Sequence, residues 1–309
     1  GIFTVLAGIS VLSLLLGTAI TVILSGNIVR PVNALSTAMQ RVANGDYDVK
    51  LETKSNFEII RRVYSDFNHM VDELNAVETL RNDFVSNVSH EFKTPLSSIE
   101  GYAMLLQDES LSAEARSEYT ERIVVSTRRL STLVSNILMI TKIENQTIPF
   151  TLSSYRVDEQ VRQSILLLEN KWSEKNIDFE MDMDSIEFCA VEGLLGNVWS
   201  NLIDNAIKFS PEGEIIYISL KEKDDMLSFK IANRGEPMSG ETLKRIFEKF
   251  YQGDTSHKRE GNGLGLALVK KIVRVHGGSV SAVNTEDGLI EFTVNLPAKR
   301  SCERCCGSN

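Results

Sequence analysis

A candidate nucleophile, His90, stands in a segment that has the apolar period of a helix. It lies two positions from Val88 and two from Phe92, and at ~100° per residue its ring turns away from the apolar face. We therefore expect the ring to face solvent or a partner, where a neutral imidazole is a good nucleophile at neutral pH. Glu91 is placed to orient the ring or to take its proton. The apolar residues recur at steps of three and four: Val85, Val88, Phe92, Leu96, Ile99, Ala103 and Leu106.

A second polar pattern predicts a metal and phosphate site. Asn197, Asn201, Asn205 and Lys208 fall at i, i+4, i+8 and i+11 and share one face of a helix. Amide oxygens are hard ligands that suit Mg²⁺ carried in with a polyphosphate, and the lysine adds a phosphate contact. Apolar residues occupy the opposite face: Leu195, Val198, Leu202, Ala206 and Phe209.

A glycine-rich loop, Gly261-Asn262-Gly263-Leu264-Gly265, opens a later helix. Glycines before a helix N-terminus bring bare N–H groups and the positive end of the helix dipole together, which suits phosphate. The preceding polar segment, 252–260, could close as a lid over the site, with Lys258 and Arg259 near the γ-phosphate. Three aromatic residues are expected to anchor the base of this lid: Phe247, Phe250 and Tyr251.

A third polar group, Asn233-Arg234-Gly235, comes directly after a predicted strand. The Asn233 side-chain oxygen could receive a base amino group, and Gly235 would let the backbone approach a ring. Taken one at a time, these patterns also fit a surface histidine, a solvated helix face and an ordinary strand end.

The composition excludes some classes of function. The chain has 309 residues and a net charge of -9, which argues against a nucleic-acid-binding protein. No Gly-x4-Gly-Lys-Ser/Thr motif is present. Cys302, Cys305 and Cys306 in the 298–309 tail have no nearby histidine and make an incomplete zinc set, so their role stays open.

The first segment, 1–29, has no charged side chain and predicts a transmembrane helix. Its apolar run, 2–24, is long enough to cross a hydrocarbon core of ~30 Å. Arg30 follows, which favours a cytoplasmic position for the remainder of the chain. We therefore expect an inner-membrane protein with its catalytic part in the cytoplasm.

The segment 30–79 reads as two amphipathic helices joined by an extended connector, with Pro31 opening the first helix. The second helix carries a heptad-like stripe that favours a parallel dimer, although an ordinary globular helix pair stays open. The stripe consists of Ile60, Val63, Phe67, Met70, Leu74 and Val77. It continues directly into the His90 helix.

The remaining chain divides into a helical domain, 80–146, and an α+β domain, 152–297. The first is a hairpin of helices at 80–107 and 114–145, with Ser112 as N-cap, which would form a four-helix bundle in a dimer. The second is predicted to be a mostly antiparallel sheet with helices on one face. Its expected helices are 155–174, 190–209, 240–250 and 264–276. Its expected strands are 177–183, 186–189, 214–221, 227–232, 278–284 and 288–295.

In this order, the motifs closely resemble those of a bacterial membrane sensor histidine kinase. The segment 89–96 resembles the H box of that family, and 201–210 resembles its N box. Three shorter segments resemble its G1, F and G2 boxes, respectively: 233–235, 247–251 and 261–266. The segment 31–78 resembles a HAMP module, and the α+β domain is expected to have the Bergerat-type ATP-binding fold.

The resemblance implies that ATP and Mg²⁺ bind in the α+β domain of a homodimer. His90 would take the phosphoryl group and pass it to an aspartate of a response regulator. Thr94, with His90 and Glu91, resembles a pattern linked to phosphatase activity, so a bifunctional enzyme is expected.

The resemblance also assigns residues to the ATP site. Asn205 resembles the Mg²⁺ ligand, and Asn201 and Lys208 look like phosphate-side contacts. Asn233 stands where the family usually has an adenine-reading aspartate. The other residues expected at the nucleotide are Phe209, Gly235, Tyr251, Lys258, Arg259, Gly261, Gly263, Leu264 and Gly265.

Two other functions are weighed against this one. An ATPase of the same superfamily would have a glutamate one helical turn before the Mg²⁺ asparagine to activate water, and Asn201 stands there. A catalytically inactive scaffold is disfavoured by the intact His90, Asn205 and glycine loop.

Overall fold

The computed structural model describes residues 1–52, 57–145, 151–252 and 262–298. The chain divides into two compact units, Gly1–Ser86 and Asn87–Asn309, which are described separately below. One helix runs across the division.

The N-terminal unit begins with helix α1, Ile2–Leu24, none of whose residues is buried. A π-helical stretch, Ser25–Val29, joins it to helix α2, Arg30–Ala43. Pro31 lies in the first turn of α2, as the sequence predicts, although no break separates α2 from the π-helical stretch before it. A proline cannot donate a backbone hydrogen bond, and the local change of helical period lies just before it.

Helix α3, Glu58–Leu105, packs against α2 and the extended connector between them. The buried set comprises Ala38, Val49, Phe67 and Val71. Asn68 fixes the connector because its amide donates to the Leu51 carbonyl and accepts from the Leu51 N–H, each at 2.9 Å. The Tyr64 hydroxyl donates to the Pro31 carbonyl at 2.9 Å.

The predicted stripe on α3 divides between two faces. Phe67 lies on the side that is buried within the chain. Val63, Met70, Leu74 and Val77 remain exposed. The helix therefore carries an apolar row that its own chain leaves uncovered.

The second unit begins with the rest of α3 and its hairpin partner α4, Ala113–Glu144. The Ser112 side chain accepts from the Ala115 N–H at 3.1 Å, which confirms the predicted N-cap. The last turns of α4 contribute to the core of the α+β domain through Ile140 and Ile143. Glu144 pairs there with Lys249 at 2.9 Å.

The α+β domain has the predicted class, with a mixed sheet. Its strands are β1 Ser153–Arg156, β2 Asp178–Met183, β3 Glu187–Ala190, β4 Ile215–Lys223, β5 Met226–Arg234, β6 Ser279–Asn284 and β7 Leu289–Pro297. In the described residues, five strands form the main sheet in the order β2-β4-β5-β7-β6, and β1 pairs with β3. Strand β2 is parallel to β4, and the other pairings of the main sheet are antiparallel.

Helices cover one face of this sheet, since side chains of β4, β5 and β7 alternate between buried and more exposed positions. The helices are α5 Val157–Leu166, α6 Glu169–Glu174, α7 Glu192–Phe209, α8 Gly240–Arg245 and α9 Gly265–Val275. Trp199 of α7 packs on Phe229 of β5 with ring centroids 4.7 Å apart.

Two predicted helices are shorter than expected. The segment predicted as helix 155–174 begins with strand β1 and breaks between α5 and α6. The segment predicted as helix 240–250 ends at Arg245, and Phe250 has a left-handed backbone with φ 63°. That conformation cannot continue a right-handed helix.

Candidate functional site

His90 lies on α3 with its side chain exposed, as the apolar spacing predicts. The Thr94 hydroxyl, one turn further on, donates to the His90 carbonyl at 3.4 Å. Val85 and Leu96, which belong to the predicted buried stripe, are exposed in the single chain. The ring is therefore accessible to a second domain or molecule.

Glu91 forms an ion pair that the sequence does not reveal. The Arg129 guanidinium of α4 donates to its carboxylate at 3.4 Å, and the Glu91 side chain is 24% exposed. Arg129 is 38 positions away in the chain, and only the packing of the α3–α4 hairpin brings it beside the H-box residue. The only sequence signal for this ion pair would be a regular spacing of the basic residues along α4.

Helix α7 carries the predicted amide face. The Asn197 amide donates to the Gly193 carbonyl and the Asn201 amide donates to the Asn197 carbonyl, each at 2.7 Å. The Asn201 Oδ1 atom lies 2.6 Å from the position that a Cβ on Gly265 would take. The predicted N-box and glycine-loop residues thus meet in space, and a side chain at Gly265 would displace the Asn201 amide.

The glycine loop is also fixed against the segment that follows α8. Gly263 has φ +64°, and a Cβ there would lie 2.6 Å from the Phe250 carbonyl carbon. The Phe250 N–H donates to the Gly263 carbonyl at 2.9 Å. Leu264 is fully buried in the core, so it supports the loop from inside.

Asn205 and Lys208 lie further along the same face of α7 and are partly buried. The Lys208 ammonium stands 4.7 Å from the centroid of the neighbouring Phe209 ring. Among the side-chain hydrogen bonds of the described residues, none uses the Asn205 amide. Its oxygen is thus available to a ligand.

Asn233 and Gly235 form the end of β5 nearest to α7. Asn233 is 2% exposed and its amide nitrogen donates to the Arg234 carbonyl at 3.0 Å. A Cβ on Gly235 would lie 3.1 Å from Ile290 and 3.6 Å from the Phe209 carbonyl. These contacts bring the predicted G1 and N boxes together.

Tyr251 is held by α8 rather than by the glycine loop. The Arg245 guanidinium lies 4.6 Å from the centroid of the Tyr251 ring. The Tyr251 hydroxyl donates to the Thr242 hydroxyl at 3.4 Å. Lys258, Arg259 and Gly261, which the sequence also assigns to the site, lie outside the described residues, as do the three cysteines of the tail.

The donor set fits Mg²⁺ that arrives with a polyphosphate. Among the described residues, no group of three or more His, Cys, Asp or Glu side chains could hold a metal by itself. Mg²⁺ is commonly bound through one or two protein oxygens together with substrate phosphates. Asn205, one helical turn after the Asn201 side chain that meets Gly265, offers one such oxygen.

Three family models match the chain in the order of these elements. The HAMP domain model matches residues 23–76 and the His Kinase A (phospho-acceptor) domain model matches residues 80–146. The model for histidine kinase-, DNA gyrase B- and HSP90-like ATPases matches residues 190–300. Together, the three matches support a two-component sensor histidine kinase. They include both His90 and the amide face of α7.

A curated relative of this sensor kinase is the heme sensor protein HssS of Staphylococcus aureus, which is 32% identical over 294 residues. The alignment takes in 95% of this chain and 64% of the relative, so the chain spans less than two thirds of that protein's length.

Two solved structures share the fold. ShkA in complex with AMPPNP is 28% identical with a TM-score of 0.54, over 71% of this chain and 46% of that one. Histidine kinase ThkA in complex with response regulator protein TrrA is 23% identical with a TM-score of 0.58, over 73% and 64% of the two chains.

Among the described residues, two helical stretches are long and apolar enough to cross a membrane: Ile2–Ala43 and Ala113–Glu144. The second is α4, which lies within the phosphoacceptor-domain match. An apolar helix followed by a HAMP match is the arrangement of a membrane-anchored sensor kinase.

Proposed function

We propose that this chain transfers the γ-phosphoryl group of ATP to His90 and then passes it to an aspartate of a response regulator. The observation that carries the proposal is an exposed histidine in the same chain as a glycine loop packed against an amide-bearing helix.

At the phosphoacceptor, one ring nitrogen of His90 attacks the γ-phosphorus and ADP leaves, and Glu91 takes the proton from the other ring nitrogen. Arg129 holds the Glu91 carboxylate in place across the α3–α4 hairpin. The pairing holds the carboxylate in a defined orientation on the hairpin. Exposure of the His90 ring then lets it meet first the γ-phosphate and afterwards the partner's aspartate.

At the nucleotide, Asn205 would hold Mg²⁺, which when bound neutralises phosphate charge. Asn201 and Lys208 contact the phosphate side, and the N-terminus of α9 offers N–H groups and the positive end of its dipole. Asn233 reads the base amino group through its amide oxygen, since its nitrogen already donates to Arg234. Lys258 and Arg259 are proposed to reach the γ-phosphate.

Helix α3 also supports a second activity, dephosphorylation of the regulator. Thr94 lies one turn after His90, and its hydroxyl could position a water against a phosphorylated regulator. We propose that the chain is also a phosphatase. In a Thr94→Ala variant, autophosphorylation should persist while dephosphorylation of the regulator slows; equal dephosphorylation rates would refute this role.

The proposed assembly is a homodimer anchored in the inner membrane, with the catalytic part in the cytoplasm. The exposed apolar row of α3 supports the dimer because such a row is ordinarily covered by a second copy. Arg30, directly after the apolar segment, supports the orientation.

The test of the proposed function compares two histidines on one helix. His90→Gln should abolish incorporation of label from γ-labelled ATP into the purified full chain. His69→Gln, which also changes an exposed histidine of α3, should leave incorporation unchanged. Label that persists in His90→Gln would refute the assignment of the nucleophile.

A further inference from the structure

The turn between α6 and β2 caps the end of helix α7. The Lys175 ammonium donates to three carbonyl oxygens there: Ile207 at 2.9 Å, Lys208 at 2.8 Å and Ser210 at 3.0 Å. Carbonyls at a helix C-terminus lack partners within the helix. A lysine ammonium has three donors, and its charge complements the negative end of the helix dipole.

The turn itself is attached to the same segment. The Gly213 N–H donates to the Lys175 carbonyl at 2.9 Å. The Asn176 amide donates to the Glu212 carboxylate at 3.2 Å, and Asn176 has φ 51°. Lys175 is therefore bonded through both backbone and side chain to the segment that leaves α7, so its ammonium has a defined position.

The carbonyls that Lys175 holds are next to the residues of the nucleotide site. One belongs to Lys208, and the three together flank Phe209 on both sides. The Phe209 carbonyl in turn lies 3.6 Å from the position that a Cβ on Gly235 would take. The Lys175 cap thus fixes how the end of α7 meets the end of β5.

We propose that Lys175 is a positioning residue for ATP binding. It does not contact the nucleotide; it acts through the backbone that carries Lys208 and borders Gly235. The inference rests on the proposed nucleotide site between α7, β5 and the glycine loop. Without the cap, the last turn of α7 would loosen, and Lys208 and the Gly235 backbone would no longer be held together.

A neighbouring lysine provides the matched control. Lys171 donates to Asp204, also on α7, through side chains that are 60% and 42% exposed. It binds the same helix from the same side but caps no backbone carbonyl. Exposed ion pairs of this kind contribute little to stability.

The experiment measures initial rates of autophosphorylation of the full chain in detergent against ATP concentration. Lys175→Met should raise the KM for ATP about tenfold with a smaller change in kcat, the pattern of lost binding. Lys175→Arg keeps the charge but directs its donors in a planar fork, so its KM for ATP should lie between those of the wild type and Lys175→Met. Lys171→Met should stay within about twofold of the wild type.

Two results would overturn the proposal. One is a KM for Lys175→Met that matches the wild type; the other is a fall in kcat with an unchanged KM. Should Lys175→Met fail to fold, Lys175→Gln retains part of the cap and is judged by the same two criteria. Should the wild type incorporate no label, the proposed function fails, and binding of a fluorescent ATP analogue to the same variants still decides the role of Lys175.

Discussion

At the scale of single residues, the nucleotide site depends on close approaches between backbone and side chain. Asn201 Oδ1 occupies the space beside Gly265, and Phe250 occupies the space beside Gly263. A methyl group at either glycine would displace these neighbours. The glycines therefore have a packing role in addition to the exposed N–H groups that suit an anion.

Asn205 is the residue on which Mg·ATP binding should depend most. Asn205→Ala removes the open amide oxygen and should weaken Mg·ATP binding at least about tenfold, a loss typical of altered metal sites. Asn197→Ala is the control, because the Asn197 amide lies on the same face but donates to its own helix. Calorimetry measures the affinity of both variants for Mg·ATP. An affinity of Asn205→Ala equal to that of Asn197→Ala would exclude the ligand role of Asn205.

Arg129 should matter for phosphorylation rate rather than for ATP binding. Arg129→Met leaves the Glu91 carboxylate without its pairing cation and should lower kcat about tenfold, a part of what general-base catalysis supplies. The adjacent Arg128→Met substitution on α4 should have little effect. An Arg129→Met enzyme with unchanged kcat would show that Glu91 needs no such support.

At the scale of elements, an ion pair between the buried Asp158 and the half-exposed Arg156 fixes the start of α5. Asp158 is 1% exposed and accepts from the Arg156 guanidinium at 2.9 and 2.6 Å. It also accepts from the Ile186 N–H at 3.2 Å, next to β3. These bonds, foremost that to Arg156, lower the pKa of Asp158 to about 2.

This pair should make the domain sensitive to acid. Because the folded pKa lies below the ordinary 3.8, the charged form stabilises the fold above that pH and the benefit disappears as pH falls toward 2. Asp158→Asn should cost about 2 kcal/mol at neutral pH, and the difference from the wild type should shrink on acidification. Both tryptophans, Trp172 and Trp199, lie in this domain. Their fluorescence during denaturant unfolding therefore measures the free energy of unfolding of the domain. A pH-independent difference would contradict this account.

The elements that repeat a strong local pattern were predictable from sequence. The amide face of α7, the Ser112 cap and the exposure of His90 follow from spacing alone. The four-residue strand β1 was not predictable, because a strand this short is stabilised by its pairing with distant β3. The left-handed conformation of Phe250, inside the segment predicted as helix, accompanies a backbone bond to the distant Gly263 and was not predictable either. The same holds for the Arg129–Glu91 and Lys175 contacts, which join residues far apart in sequence.

At the scale of the whole molecule, the long helix α3 leaves an apolar row uncovered in its N-terminal part. Leu74 is 40% exposed and Val77 is 62% exposed, although both follow the heptad-like spacing. A sustained row of this kind favours pairing with a second copy. The proposed homodimer would cover it.

A charged side chain introduced into the apolar row of α3 should dissociate the dimer. Leu74→Glu places two like charges at the seam and should shift the full chain in detergent toward monomer, measured by light scattering. Glu73→Lys changes the neighbouring exposed position, which is off the row, and should leave the mass unchanged. A dimer that is equally stable in both variants would place the interface elsewhere.

The most direct measurement of the central claim is the site of phosphorylation in the unaltered chain. The full chain is incubated with Mg·ATP, digested at neutral pH and analysed by mass spectrometry under conditions that preserve phosphohistidine. We predict phosphate on the peptide that contains His90, with loss of the modification after brief acid treatment. Acid-stable phosphate on serine or threonine, or phosphate on His69 or His276 in place of His90, would contradict the account.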